Sequence, residues 1–169
     1  VDPFKGGTIR ETSDEFFKKN DKKFDCIFID GLHRYHQVKK DILNSVNVLK
    51  EGGIILLHDC LPSNVYEQAI PRCQYKWNGD VWKAIVEFRT YKNLDTYTCY
   101  ADHGIGVIFK KANKNQLNLD RKNFLNLRFK DYFENGLKKT FEWYLKNLGY
   151  YKSLNKNDIL NRLGLKSNS

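Results

Sequence analysis

Four side chains that are able to bind a metal or move a proton follow two short apolar runs of the sequence. Asp30 and His33 follow the first run, and His58 and Asp59 follow the second. Carboxylate oxygens are ligands for hard divalent cations, and an imidazole accepts a proton near neutral pH. The pattern therefore predicts proton transfer or metal binding, provided that the chain brings the two runs side by side.

The two apolar runs and the segment between them predict that the runs lie side by side as strands of one sheet. Residues 26–29 (CIFI) and 54–57 (IILL) lack polar alternation, which is typical of parallel strands buried on both faces. Apolar residues recur between them at helical spacing, namely Val38, Ile42, Val46 and Leu49. We expect Glu51-Gly52-Gly53 to end this helix. The result is a βαβ unit of an α/β fold, and open α/β sheets bind ligands outside the carboxyl ends of their strands.

The two histidines each leave a structural alternative open. Successive side chains of a strand point to opposite faces, so we expect His58 to point away from Asp59. His58 then orients a ligand or fills a structural role. His33 is a base or a hydrogen-bonding residue of the turn before the helix.

Three stretches of the sequence, FIDGLH, LKEGGIILLHDC and NGDVWKA, carry a resemblance to a known family. They resemble the small class I S-adenosylmethionine-dependent methyltransferases, particularly the group acting on sugars and natural products. The resemblance runs from Val1 to about Lys110. It implies a Rossmann-like sheet in which the two apolar runs are the fourth and fifth strands. Residues 96–100 and 104–109, which read as a hairpin, match the antiparallel strands that close that sheet.

The resemblance also implies a cofactor site for S-adenosylmethionine. Asp2 matches the acidic residue that receives the ribose hydroxyls, and Ser13 and Asp14 match residues that border the adenine. Asp30 belongs to the same cofactor site. Ser13 also reads as a helix N-cap, which explains it without a ligand.

Further roles implied by the resemblance concern catalysis. Asp30 and Asp59 match positions that bind Mg²⁺ in catechol- and macrocin-type enzymes, which makes Mg²⁺ an optional second cofactor. His33 matches the position of the catalytic base, and Asp30 lies beside it. Cys60 departs from the pattern, because catechol-type enzymes have an Asn ligand there.

The glycine-rich loop of this family has no counterpart in the sequence. The resemblance would place that loop before Val1, and the chain contains no methionine. We therefore expect the chain to be part of a longer protein, with an N-terminally incomplete methyltransferase sheet.

The stretch from about residue 62 to residue 78 shows no strong periodicity and reads as a lid loop over the rim. Trp77 is a candidate for stacking on a sugar or aromatic acceptor, and Arg72 for holding an anionic group. Together with His58, these residues form the predicted substrate site. Packing of the lid loop onto the body is the alternative. Asn78 reads as the N-cap of the next helix.

Length and composition limit the remaining possibilities. The 169 residues suit one core domain, residues 1–111, followed by a helical extension, residues 112–169, that packs on the core or on a second copy in a homodimer. No apolar stretch is long enough for a membrane span. The four cysteines form no CxxC pair and read as reduced thiols of a cytoplasmic protein. The net charge of +9 is spread along the chain, so nucleic acid is not the expected partner.

Three functions remain after this reading. The leading one is methyl transfer from S-adenosylmethionine to a small hydroxylated acceptor, such as a sugar or nucleotide-sugar of a surface-polysaccharide or natural-product pathway. The second is a metal-dependent hydrolase that uses the DGLH and HD residues to activate water. The third is a degenerate, non-catalytic Rossmann-like binding module.

Overall fold

The computed structural model describes residues 1–119 of the chain, and these form three helices and four strands. The helices are α1 (Ser13–Lys19), α2 (Tyr35–Val48) and α3 (Val81–Phe88). The strands are β1 (Phe24–Ile29), β2 (Leu49–Leu57), β3 (Asp95–Cys99) and β4 (Ile105–Phe109). The helices predicted in residues 112–169 lie outside the described residues.

The strands form one mixed sheet in the order β1-β2-β4-β3. β1 and β2 are parallel, with Cys26 beside Ile54 and Ile29 beside Leu57. β4 runs antiparallel to both β2 and β3, which confirms the predicted hairpin. This α/β fold is consistent with the Rossmann-like methyltransferase sheet predicted from the sequence.

The core lies between the sheet and the helices α2 and α3. The side chains of Ile42, Ile55, Phe88 and Ile108 are completely buried there. Helix α2 packs on β1, β2 and α3, which is the arrangement that a βαβ crossover requires. The crossover therefore fixes the ends of β1 and β2 next to each other.

The prediction of strands buried on two faces is wrong for β1. Cys26 is exposed, and Phe28 is 56% exposed, because β1 is the edge strand of the described sheet. Leu49 was also misplaced: it is the first residue of β2 and not part of the helix, although it is buried as predicted. Leu49 lies at the position where the next buried residue of α2 would fall, so the apolar spacing predicted it as part of the helix.

Two predicted helix caps are corrected in the structure. Thr12, not Ser13, is the N-cap of α1, because Thr12 and Glu15 form a capping box. Asp80, not Asn78, is the N-cap of α3, and its Oδ1 accepts a hydrogen bond from the backbone N–H of Tyr35. A local contact with Glu15 thus selects Thr12, whereas a tertiary contact with Tyr35 accompanies Asp80.

A buried polar contact links α2 to α3. The Tyr35 hydroxyl donates a hydrogen bond of 2.6 Å to the carboxylate of Glu87, and the Lys39 ammonium lies 2.8 Å from the other carboxylate oxygen. Both Tyr35 and Glu87 are buried. Burial raises the pKa of Tyr35, and the hydrogen bond to Glu87 raises it further, so the phenol stays protonated as the donor.

We predict that Tyr35→Phe lowers the free energy of unfolding by about 1.5–3 kcal/mol, because it removes a hydrogen bond to a buried carboxylate. Urea denaturation measures this effect. Tyr97→Phe, on the partly exposed strand β3, is the control and should change stability by less than about 0.5 kcal/mol. Equal effects of the two substitutions would contradict the assigned role of the Tyr35–Glu87 contact.

Candidate functional site

The described structure brings four of the predicted site residues to one rim of the sheet. Asp30 and Asp59 follow the ends of β1 and β2, and His33 precedes α2. The ligand atoms of Asp30, His33 and Asp59 all lie within 4.8 Å of one another. Parallel pairing of β1 with β2 is the reason for this convergence.

His58 also reaches this rim, which corrects the expectation that it points to the opposite face. Strand β2 ends at Leu57, and Asp59 has a φ of 60°, in the left-handed region. The alternation of side chains therefore stops before Asp59. A positive φ is uncommon for a residue other than glycine, although Asp adopts it more readily than most. No local sequence pattern indicated this turn.

Hydrogen bonds from the hairpin hold this turn in place. The backbone N–H of Cys60 donates to the carbonyl of Gly104, and that of Leu61 donates to the carbonyl of His103. The Cys60 side chain is buried, and burial raises its pKa to about 12, so it is a neutral thiol. A neutral thiol is a poor ligand for a hard cation. Cys60 therefore supports the turn and adds no ligand to the rim.

The protons of the two imidazoles can be placed from their partners. Nδ1 of His33 lies 3.0 Å from the backbone carbonyl oxygen of Trp77. A carbonyl only accepts, so Nδ1–H is the donor, and Nε2 of the neutral ring is left as an acceptor. Nε2 of His58 lies 2.8 Å from a carboxylate oxygen of Asp102, to which it donates in the same way.

The remaining nitrogens of both rings face the same two carboxylates. Nε2 of His33 and Nδ1 of His58 each lie 3.2 Å from Oδ2 of Asp59 and 3.6 Å from Oδ1 of Asp30. In the neutral rings these two nitrogens and the two carboxylate oxygens are all acceptors, which repel one another unless a proton or a cation lies between them. These atoms together therefore favour binding of a proton or a cation.

The electrostatics of His58 agree with this arrangement. Partial burial lowers the pKa of His58, but the hydrogen bond to Asp102 and the charges of Asp59 and Asp30 outweigh it, so the pKa is raised. The hydrogen bond from His58 correspondingly lowers the pKa of Asp102. Asp102 was not predicted from the sequence, because it lies in the β3–β4 turn, far along the chain from the rim.

Next to the rim, between α1, β1 and α2, lies a cavity of about 360 Å³. Its walls are mainly apolar, with Phe16, Phe17 and Phe28 among the lining residues, and it reaches Asp30. Ser45 lines the cavity, and its Oγ is buried without a hydrogen-bond partner among the described residues. Buried polar atoms are normally paired, so this hydroxyl is an exception in the cavity wall.

The predicted cofactor residues occupy different places around this cavity. Ser13 lines it, whereas Asp14 is not among the lining residues and instead accepts hydrogen bonds from Lys40 and Gln37. Oδ1 of Asp2 accepts hydrogen bonds from the backbone of Phe4 and Lys5. These bonds lower the pKa of Asp2, and only its neighbour Val1 lines the cavity. The structure thus brings Ser13 and Asp30 to one cavity, while Asp2 caps a turn beside it.

The lid loop lies against His33. The Trp77 ring stacks on the His33 ring with 5.3 Å between centroids and 22° between planes. The guanidinium of Arg72 lies 5.8 Å from the Trp77 ring. Residues 61–80 contain no helix or strand, which confirms the predicted long loop. Arg72 and Trp77 are therefore close to His33, while His58 lies within the rim itself.

One glycine allows the close approach of the lid loop to His33. Gly79 has a φ of 63°, and a Cβ at this position would lie 1.8 Å from the backbone oxygen of His33. The chain offers a matched position: Gly52 has a φ of 74° but open space around it. Both glycines have a positive φ, but an added Cβ would meet neighbouring atoms only at Gly79.

We predict that Gly79→Ala lowers the free energy of unfolding by about 1–3 kcal/mol more than Gly52→Ala, since only Gly79→Ala adds a steric clash. Urea denaturation of both variants measures the difference. Gly79→Ala should also shift the ring-proton NMR signals of His33. Indistinguishable variants would mean that the lid loop does not lie against His33 in solution.

Comparisons with known proteins were made for the whole chain. A family model described as a methyltransferase domain matches residues 5–60, which include both strands of the βαβ unit and Asp30, His33, His58 and Asp59. No curated protein matches the chain. A solved protein of Corynebacterium glutamicum is similar in structure, with a TM-score of 0.44 and 13% identity over 61% of this chain. The similar region is 46% of that protein's length.

The domain match supports a methyltransferase family and, with it, S-adenosylmethionine as the usual methyl donor. No helix among residues 1–119 is long and apolar enough to cross a membrane. Neither finding identifies an acceptor, and the matched stretch does not include the lid loop.

Proposed function

We propose that this chain is part of a methyltransferase that transfers a methyl group from S-adenosylmethionine to a hydroxyl of a small acceptor, such as a sugar or nucleotide-sugar. The observation that carries the proposal is the convergence of Asp30, His33 and Asp59 beside a cavity of about 360 Å³. Small-molecule sites have volumes of roughly 300–1,000 Å³ and combine apolar walls with a few polar groups. The cavity has both properties.

The cavity residues fit the adenosyl part of the donor. Phe16, Phe17 and Phe28 offer aromatic surfaces for a flat base. Asp30 connects the cavity to the rim, so a donor bound in the cavity would lie next to the groups that act on the acceptor. When bound, S-adenosylmethionine supplies an electrophilic methyl group.

His33 is the proposed base. Methyl transfer to a hydroxyl requires an aligned acceptor and removal of its proton. The Trp77 carbonyl holds the proton of His33 on Nδ1, so Nε2 is free to accept a proton from a hydroxyl at the rim. Asp30 and Asp59 would stabilise the resulting imidazolium, since both carboxylates already face Nε2.

A divalent cation fits the same donor set. The Asp30 and Asp59 oxygens suit Mg²⁺ or Mn²⁺, whereas an imidazole ligand shifts the preference toward ions such as Zn²⁺ or Fe²⁺. A cation held here would lower the pKa of an acceptor hydroxyl and orient it. His33 supplies the third ligand atom in this arrangement, and its nitrogen cannot bind a cation and accept a proton at the same time. Base and ligand are therefore alternatives that an experiment must separate.

We predict that the chain binds S-adenosylmethionine and S-adenosylhomocysteine in calorimetric titrations. Phe28→Ala should weaken this binding about tenfold, because it removes an aromatic wall of the cavity. Tyr97→Ala, which removes another partly exposed aromatic side chain from a strand, is the control and should leave binding unchanged. Absence of donor binding, together with phosphate release from nucleotides, would replace the proposal with the metal-dependent hydrolase.

We predict that Asp59→Asn weakens binding of Mg²⁺ or Mn²⁺ at least tenfold, because it removes a carboxylate ligand. Asp21→Asn, at an exposed position, is the control. Titration of the metal alone measures the effect. If neither cation binds the unmodified chain, the rim does not hold a metal.

His33→Ala separates the two roles of His33. If His33 is the base, the variant should lose at least about a hundredfold in kcat and keep its affinity for both donor and metal. A parallel loss of metal affinity would identify His33 as a ligand. A parallel loss of donor affinity would contradict both roles.

A further inference from the structure

A second cavity, of about 590 Å³, shares Gly31 with the first. Its walls come from the turn after β1 and from the lid loop, namely Gly31, Leu32, His33, Arg72, Tyr75, Lys76 and Trp77. His33 lines this cavity and also belongs to the rim. A molecule in this cavity would therefore present its reacting group to His33 and its remaining surface to the lid loop.

Arg72 is fixed in position before any ligand arrives. Its Nε donates a hydrogen bond of 2.9 Å to the carbonyl of Gln74, and its Nη2 donates to the carbonyl of Tyr75. Its guanidinium also lies 5.8 Å from the rings of both Tyr75 and Trp77. A guanidinium has five N–H donors, so three remain for a ligand. A preorganised guanidinium binds an anion with less loss of conformational entropy than a free one.

Lys76 adds a second positive charge to the same wall. Neither Arg72 nor Lys76 forms a salt bridge with a carboxylate of residues 1–119. The salt bridges of this part of the chain that involve lysine are made by other lysines. The rim beyond His33 carries the opposite charge, from Asp30, Asp59 and Asp102. The cavity is therefore cationic along the lid loop, and the carboxylates lie beyond its lining. The charge of Lys76 contributes, after the hydrogen bond from His58, to the lowered pKa of Asp102.

This charge distribution would orient an acceptor. An anionic group is repelled by the carboxylates of the rim and attracted by Arg72 and Lys76, while a hydroxyl is tolerated at the rim. Tyr75, which is 94% exposed, offers flat aromatic faces beside these cations. Such faces suit the ring of a sugar or an aromatic group.

We propose that the acceptor is an anion, a ring compound with a phosphate or carboxylate group that is held by Arg72 and Lys76 while its hydroxyl lies at His33. This inference rests on the proposed methyltransferase function, and it narrows the acceptor class from any small hydroxylated molecule to an anionic one. Phosphate and carboxylate share the chemistry that a guanidinium recognises.

The test titrates the full chain, without donor and at low salt, with glucose 1-phosphate, glucuronate and glucose. We expect one or both anions to bind and glucose to bind much more weakly. The double variant Arg72→Gln/Lys76→Gln should weaken anion binding at least about tenfold. The double variant Lys22→Gln/Lys92→Gln removes the same charge from exposed positions and should leave binding unchanged.

The single variant Lys76→Gln tests whether the loss of binding comes from lost charge or from a disturbed lid loop. The Arg72 side chain donates two hydrogen bonds within the lid loop, so its replacement can disturb the loop, whereas replacement of Lys76 removes neither of them. It should weaken anion binding about threefold or more. Preference for glucose 1-phosphate identifies a phosphate, and preference for glucuronate identifies a carboxylate. Equal binding of all three sugars, binding of none, or equal losses in the two double variants overturns the inference.

Parallel titration with S-adenosylhomocysteine separates this inference from the function on which it rests. Binding of S-adenosylhomocysteine without anion binding overturns the anionic acceptor and leaves the methyltransferase proposal intact. Anion binding that requires Arg72 and Lys76, without binding of S-adenosylhomocysteine, supports the anion site and contradicts the methyl donor.

Discussion

Parallel pairing of β1 with β2 is the constraint on which the candidate site depends. Because α2 must return the chain across the sheet, both strands end at the same edge, and Asp30 and Asp59 meet there although 28 positions separate them in the sequence. The buried contacts of α2 with β1, β2 and α3 hold the crossover in place. The lid loop, the hairpin turn and the two cavities are all arranged around this edge.

Charge is distributed unevenly around that edge. Two carboxylates face two imidazole nitrogens at this edge, and Asp102 adds a third carboxylate from the hairpin turn. Holding so many acceptors together costs free energy unless a proton or cation is present. Proteins often accept such a cost at functional sites, and the left-handed backbone of Asp59 in the same turn is a second local cost.

The sequence predicted the βαβ unit, the hairpin and the meeting of Asp30, His33 and Asp59, because these follow from apolar runs and the topology of parallel strands. It failed where a tertiary contact decided the outcome. His58 turned toward the rim because Asp59 adopts a positive φ, which no local pattern indicated. Asp102 was missed because it reaches the rim only through the β3–β4 turn. Phe28 and Cys26 were expected to be buried, but burial of a strand depends on its neighbours and not on its own residues.

The lid loop and the rim form one unit through His33. The Trp77 carbonyl fixes the proton of His33, the Trp77 ring stacks on its imidazole, and Gly79 brings the backbone of the lid loop against the carbonyl of His33. Displacement of the lid loop would remove the acceptor for Nδ1–H and allow the proton to move to Nε2. Nε2 would then be unable to accept a proton or bind a cation. The position of the lid loop therefore favours the tautomer of His33 that leaves Nε2 free to accept a proton at the rim.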